Sequence, residues 1–167
     1  PQEEGNIGAA ARAIANMGLE DLVLVEPAAK VGRVARAFAV HAGGILDRVR
    51  RCAELAEALV PFRRIVGTTS SRSREIEVPL ITARELHDLL AKDPRGTPTA
   101  LVFGSEVSGL TTDELAHCHP LVSIPCSLRQ PTLNLAQAVL IVAYELRQAR
   151  AVEMPSAEAS RATGGEI

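Results

Sequence analysis

The chain has 167 residues, of which 47% are hydrophobic but only 2% aromatic, and it carries a formal charge of −2. That length suits one domain with a sizeable core built mainly from Ala, Val, Leu and Ile. The near-neutral charge excludes the pervasive basic field of a non-specific nucleic-acid binder, and the scarcity of rings excludes a base-stacking platform.

In chain order, the first expected element is a helix over residues 7–17, closed by Gly18, in "GNIGAAARAIANMG". Asn6 is expected to cap it. Gly8 and Arg12 stand four apart on one face, so the missing side chain at Gly8 is expected to leave room beside the guanidinium. "PQEEGNIG" reads as a loop leading into a helix, and in α/β folds a strand feeds such a loop. The sequence is therefore expected to begin just after a first strand. A strand over 22–25 follows, then helices over about 34–41 and 47–59, and a strand over 64–67. Arg48, Arg50, Arg51, Arg63, Arg64, Arg72 and Arg74 crowd this stretch. Arginine forks match phosphate oxygens well, but for any single one of these residues a solvated helix face is the commoner role.

After the strand at 64–67 comes "GTTSSRSR", where hydroxyls and two arginines follow a strand end. A helix over 82–92 leads to a strand over 99–103 that runs into "GSEVSGL". A glycine just past a strand's carboxyl end lets backbone approach a ligand, and that edge is where α/β sheets bind small molecules. Thr111 and Glu114 form a capping box for a short helix. The last strand spans 121–124, and a long polar loop enters an apolar helix over 134–150 that is expected to be buried. Residues 152–167 read as a flexible tail or linker.

The exclusions are specific. The chain lacks both the G-x-x-x-x-G-K-S/T phosphate loop and the dinucleotide G-x-G-x-x-G. His117, Cys118 and His119 are adjacent, with no second ligand pair at zinc spacing, so no metal is expected. Cys52, Cys118 and Cys126 are odd in number and without a signal peptide, which suits a reducing cytoplasm. No apolar run reaches the ~18 residues of a membrane span.

Singly these signals are ordinary: a cap, a turn, a Ser/Thr loop. In this order and spacing, Asn6/Gly8/Arg12, "VFGSEVSGL" (102–110) and "IPCSLRQPTLNLAQA" (124–138) resemble the motifs of the SPOUT superfamily of RNA methyltransferases, TrmH/SpoU branch. The "GTTSSRSR" loop and the "CHPLVSIP" approach bring the chain nearest to the TrmJ-type tRNA 2′-O-methyltransferases. The resemblance covers about residues 5–150. It implies a single-domain α/β SPOUT fold over 1–151, a parallel sheet flanked by helices with a C-terminal trefoil knot. It also implies S-adenosylmethionine as cofactor and a homodimer in which each site is completed by the partner chain.

Carried over residue by residue, the resemblance assigns the cofactor pocket to Thr68, Thr69, Ser70, Gly104, Ile124, Thr132 and Leu133. Asn6, Arg12, Glu106, Thr132 and Asn134 would form the catalytic group, and Arg12, Arg72 and Arg74 would bind RNA. Threonine stands at 132 where the family usually has serine, which keeps the hydroxyl but restricts its rotamer. A guanidinium pKa above about 12 keeps Arg12 cationic. Stabilising the developing alkoxide therefore stands beside the general-base role that family mechanisms often give this arginine. TrmJ-type proteins often continue into a helical extension that aids tRNA binding, which this sequence does not include.

The implied function is 2′-O-methylation of RNA ribose in the cytoplasm, with the tRNA anticodon loop as the expected target. The alternatives are an rRNA methyltransferase of the same branch, a non-catalytic knotted RNA-binding dimer, and an unrelated α/β nucleotide-binding enzyme. No membrane and no metal enter any of the first three.

Overall fold

The computed structural model describes residues 1–70 and 78–152. Helices and short strands alternate: α1 (Glu4–Asn16), β1 (Val23–Val25), α2 (Arg33–Ala39), α3 (Gly43–Asp47), β2 (Arg50–Cys52), α4 (Leu55–Leu59), β3 (Arg64–Thr69) and β4 (Leu80–Thr82). A 3-10 turn at Ala83–Glu85 leads into α5 (Leu86–Leu90), followed by β5 (Thr99–Val102), α6 (Thr112–Ala116), β6 (Leu121–Ser123) and α7 (Leu135–Val152).

Among the described residues, the pairings between these strands are all parallel. β1 lies beside β2, and the other four strands run in the order β4-β6-β3-β5. β6 fits between β3 and β4, with Val122 opposite both Thr68 and Ile81. Consecutive strand residues face opposite sides of a sheet. Leu121 accordingly joins Leu59, Leu115 and Cys118 on one face, while Val122 joins Val66, Leu86 and Val142 on the other. Burial on both faces is why 99–103 and 121–124 read as apolar runs rather than alternating ones.

A third core is made largely of alanine, where α1 packs against α2 and α7 through Ala10, Ala11, Ala35, Ala39 and Ala136. Small side chains let the helices approach closely, and Gly8 marks the tightest point. A Cβ there would stand 2.0 Å from the carbonyl oxygen of Ala35. Gly8 therefore makes room for α2; it does not open space for Arg12. α1 ends in a Schellman motif: Gly18 has φ +72°, its N–H donates to the Ala15 carbonyl at 3.0 Å, and the Leu19 N–H donates to the Ile14 carbonyl at 3.0 Å.

Three expectations are corrected. The single helix over 47–59 is instead the end of α3, then β2, then α4. Val49, Cys52, Leu55 and Ala58 recur every third residue and imitate a helical face. Backbone pairing with the β1 segment wins, as the Arg50 N–H donates to the Leu22 carbonyl and the Glu26 N–H to the Cys52 carbonyl. The helix over 82–92 is shorter than expected, because residues 80–82 are taken by β4 at the edge of the sheet. Finally, α7 buries only one face. Ala136, Val139, Val142 and Ala143 are inside, whereas Leu140 and Tyr144 are 39% and 46% exposed.

The capping box at α6 is present, with the Thr111 hydroxyl accepting from the Glu114 N–H at 3.2 Å and the Glu114 carboxylate accepting from the Thr111 N–H at 2.7 Å. No helix among the described residues is long and apolar enough to cross a membrane.

Candidate active site

The carboxyl ends of β3, β5 and β6 lie side by side in the sheet, so the segments leaving them at 68–70, 103–110 and 124–134 share one edge. That edge is where an open parallel sheet presents ligand groups. Into it comes the first turn of α1.

The segment after β5 doubles back on itself. The Ser105 N–H donates to the Gly109 carbonyl at 3.2 Å and the Gly109 N–H returns to the Ser105 carbonyl at 3.0 Å. Gly109 has φ +66°, and a Cβ on Gly104 would stand 2.1 Å from the Gly109 carbonyl carbon. The space that a side chain at Gly104 would need is taken by the backbone of Gly109 and Leu110, so only glycine fits there. The closed turn aims Glu106 at α1.

Glu106 then collects donors. Its carboxylate accepts the Gln2 N–H at 3.0 and 3.2 Å, the Glu3 N–H at 3.5 Å and the Asn6 Nδ2 at 2.9 Å. Asn6 in turn accepts at Oδ1 from Asn134 Nδ2 at 2.8 Å, and Asn134 Oδ1 accepts the Ala136 N–H at 2.9 Å. The polarity of this chain is forced. A carboxylate only accepts and a helix N–H only donates, so both intervening amides have a single orientation. Three segments separated by about a hundred residues or more, or by a helix and strand, are thereby joined side chain to side chain.

One sequence expectation changes at this point. Asn6 does not cap α1, because the helix begins at Glu4 with Glu3 at the cap position, and Glu106 takes up the N–H groups of Gln2 and Glu3 just before it. Asn134 is the cap, of α7, and its own N–H donates to Gln137 Oε1 at 3.3 Å in a reciprocal box.

Burial alone would raise the pKa of Glu106. Hydrogen bonds from Asn6, from its own N–H and from those of Gln2 and Glu3 outweigh that, and hold it below the ordinary carboxylate value. A carboxyl whose pKa is lower folded than unfolded stabilises the fold above its unfolded value, and that contribution is lost as pH falls through the folded value. The Asn6 side-chain amide resonance should therefore stay constant from neutral pH down to about 4.3 and move only below it. A transition between pH 5 and 7 would show a different proton balance.

The remaining assigned residues are distributed unevenly. Thr68 Oγ1 donates to the Val102 carbonyl at 3.1 Å, tying β3 to β5, and Thr69 Oγ1 donates to the Ser70 carbonyl at 3.3 Å. Ile124 and Leu133 are half-buried, while Ser70 and Thr132 are exposed. Arg12 lies six residues beyond Asn6 on α1, exposed, and is not brought to the Asn6–Glu106–Asn134 group. Arg72 and Arg74 lie outside the described residues.

His117 and His119 are exposed while Cys118 between them is 2% exposed, so the three side chains diverge. Burial, helped by Glu114, pushes the Cys118 thiol up to about 11, and it packs against Gly67. Sequence reasoning missed the backbone donors of Gln2 and Glu3. The acidic pair Glu3-Glu4, an ordinary first-turn signal, points to the earlier helix start.

The SpoU rRNA Methylase family matches residues 1–144 of this sequence. The chain belongs to that family. The tRNA (cytidine/uridine-2′-O-)-methyltransferase TrmJ of Yersinia pestis is 43% identical over 145 residues, covering 87% of this chain and 56% of that protein. This chain thus spans little more than half of that relative's length. Among solved structures, TrmJ from Z. mobilis superposes with a TM-score of 0.82 at 34% identity, covering 94% of this chain and 69% of that one. The SpoU methyltransferase AviRb from Streptomyces viridochromogenes, in complex with the cofactor AdoMet, shares the fold with a TM-score of 0.70 at 23% identity, covering 91% of this chain and 58% of that one.

Proposed function

We propose that residues 1–151 form the methyl-transfer unit of an S-adenosylmethionine-dependent RNA 2′-O-ribose methyltransferase acting on tRNA in the cytoplasm. The observation that carries this reading is the convergence of Asn6, Glu106 and Asn134 at the strand carboxyl ends. It occurs in a family member 43% identical to a protein named for that reaction.

The donor set suits the cofactor. Among the described residues, the peptide N–H groups of Thr132 and Leu133 have no partner within the chain, and Ile124 and Leu133, at the two ends of the same loop, are half-buried. Apolar walls with a few unspent peptide donors match an adenosine ring. Thr68, Thr69, Ser70, Gly104, Ile124, Thr132 and Leu133 would hold the cofactor, which supplies an activated methyl on its sulfonium.

The chain's own task is alignment and charge. Asn6 and Asn134, locked in orientation by Glu106 and α7, fix the floor of the site. The Thr132 hydroxyl, exposed at its rim, would meet the ribose. Positioning of this kind supplies roughly 7–11 kcal/mol in ideal cases. Glu106 is committed to Asn6 and to the start of α1, so it acts by holding rather than by taking the proton.

Arg12 would enter from a second copy of the chain, where its guanidinium stabilises the developing alkoxide and, with Arg72 and Arg74, holds RNA phosphate. The supporting feature is an apolar surface on the helices flanking α1. Val34 and Phe38 of α2 are 50% and 54% exposed, and Leu140 and Tyr144 of α7 project likewise. A trefoil knot follows in the same reading. What supports it is the strand order, with β6 between β3 and β4; residues 71–77 of the β3–β4 connection lie outside the described residues.

The test is transfer of a radiolabelled methyl group to bulk tRNA and, separately, to rRNA, using the full-length protein. Label in tRNA ribose is expected. Label in rRNA alone would favour the alternative that the family's description suggests. Absence from both, with weak cofactor binding by calorimetry, would make the chain a non-catalytic RNA-binding dimer.

A further inference from the structure

Glu4 opens α1, yet its side chain serves a different helix. Glu4 Oε2 accepts the N–H groups of Val34 at 3.2 Å and Ala35 at 3.4 Å, in the first turn of α2. The N-cap position of α2 is Gly32, which has no side chain with which to cap the helix. A Cβ on Gly32 would stand 2.8 Å from Glu4 Oε1, so the glycine leaves the space that the carboxylate fills. Two carboxylates thus meet at one turn: Glu106 holds the backbone leading into α1, and Glu4 of α1 caps α2 in trans.

Residues 4 and 6 of a helix point about 200° apart. Glu4 therefore fastens the turn to α2 on one side while Asn6 fastens it to Glu106 and Asn134 on the other. A turn pinned from opposite sides cannot roll about its axis. Without Glu4 the turn would lose its hydrogen bonds on the α2 side and keep only apolar packing there, which leaves it freer to roll and carry the Asn6 amide out of line. Misplacement by about 1 Å costs on the order of a hundredfold in rate where alignment is the catalyst's main contribution.

We infer that Glu4 is a positioning residue of the site, setting the roll of α1 and through it the orientation of Asn6. This rests on the methyl-transfer reading, and the test separates the two. Glu4→Ala should lower kcat for methyl transfer by about tenfold with KM for cofactor and RNA unchanged. It should also shift the Asn6 side-chain amide resonance and speed hydrogen exchange at Val34 and Ala35. Glu4→Gln keeps an accepting oxygen and should restore most of kcat and the native resonance.

Glu57→Ala removes a similar glutamate-to-backbone bond, to the Ala53 N–H at 3.2 Å on α4. It should lower the melting temperature without moving kcat or Asn6. An equal loss of kcat in Glu57→Ala, or an unmoved Asn6 resonance in Glu4→Ala, overturns the inference. Should Glu4→Ala fail to fold, Gly32→Ala displaces the same carboxylate from the opposite side and must reproduce the shift. If the wild-type protein transfers no methyl group, the reaction assignment falls, and the Asn6 resonance still decides on Glu4.

Discussion

Replacing Asn6 with alanine should lower methyl transfer by about 10²–10³-fold while leaving a folded protein. The side chain bridges two elements, donating to Glu106 at 2.9 Å and accepting from Asn134 at 2.8 Å. Its loss costs about 1–3 kcal/mol of stability, because the partners keep other bonds: Glu106 retains the N–H groups of Gln2 and Glu3, and Asn134 its hold on Ala136. The rate suffers more, since a single fixed donor at a reacting centre is worth about 10²–10³. Asn6→Asp is the sharper experiment. Aspartate still accepts from Asn134 but cannot donate to Glu106, and places two carboxylates at hydrogen-bond distance. One of that pair would have its pKa raised above the unfolded value. Its destabilisation is therefore present at neutral pH and relieved as pH falls through the raised value. The melting temperature of Asn6→Asp should thus rise between pH 7 and 5, and it should remain below that of Asn6→Ala at pH 7. A melting temperature for Asn6→Asp equal to wild type at pH 7 would mean that Glu106 does not depend on Asn6 as a donor.

The buried strands were legible because β-branched apolar runs bounded by polar turns have few other uses. The strands at 64–67, 99–103 and 121–124 fall where β3, β5 and β6 lie, within two residues. β2 was not legible. Two of its three residues are arginines, and it exists because β1 offers it backbone partners, not because of its own pattern. β4 was hidden for a related reason: Leu80, Ile81 and Thr82 are a short edge strand next to a capping box, and the box reads more strongly.

The site divides in the same way. Asn6, Glu106 and Asn134 were recognisable by their motifs, but their roles were not, since α1 starts two residues before Asn6 and leaves its side chain free to bridge Glu106 and Asn134. Arg12 and Thr132 sit outside the bridged group, and no local pattern reveals what a second chain or a substrate brings to them. Gly8 was read as space for a guanidinium because i, i+4 geometry suggests it. The actual neighbour, the Ala35 carbonyl, is 27 residues away and invisible to periodicity.

Gly8→Ala should destabilise the protein by about 3 kcal/mol, reversing the usual sign of the substitution. In a solvent-facing helix interior, alanine is favoured over glycine by about 1 kcal/mol. Here the added Cβ would lie 2.0 Å from the Ala35 carbonyl oxygen, 2.8 Å from its carbon and 2.9 Å from Phe38 Cβ. The obstacle is backbone, so no rotamer change relieves it, and α1 and α2 must separate by about 1 Å. Overpacking of this sort costs about 1–3 kcal/mol and sometimes more. Separation also strains the Glu4 bonds to Val34 and Ala35, which already stand at 3.2 and 3.4 Å. For a domain of this size the expected drop in melting temperature is about 6–12 °C. Gly5→Ala on the same helix is the control: its Cβ would meet Phe38 Cε2 at 3.6 Å, an ordinary contact. That variant should be neutral or slightly more stable. Equal melting temperatures for the two variants would show that α2 yields freely, and the close α1–α2 contact would then play no part in holding the first turn of α1 to its site.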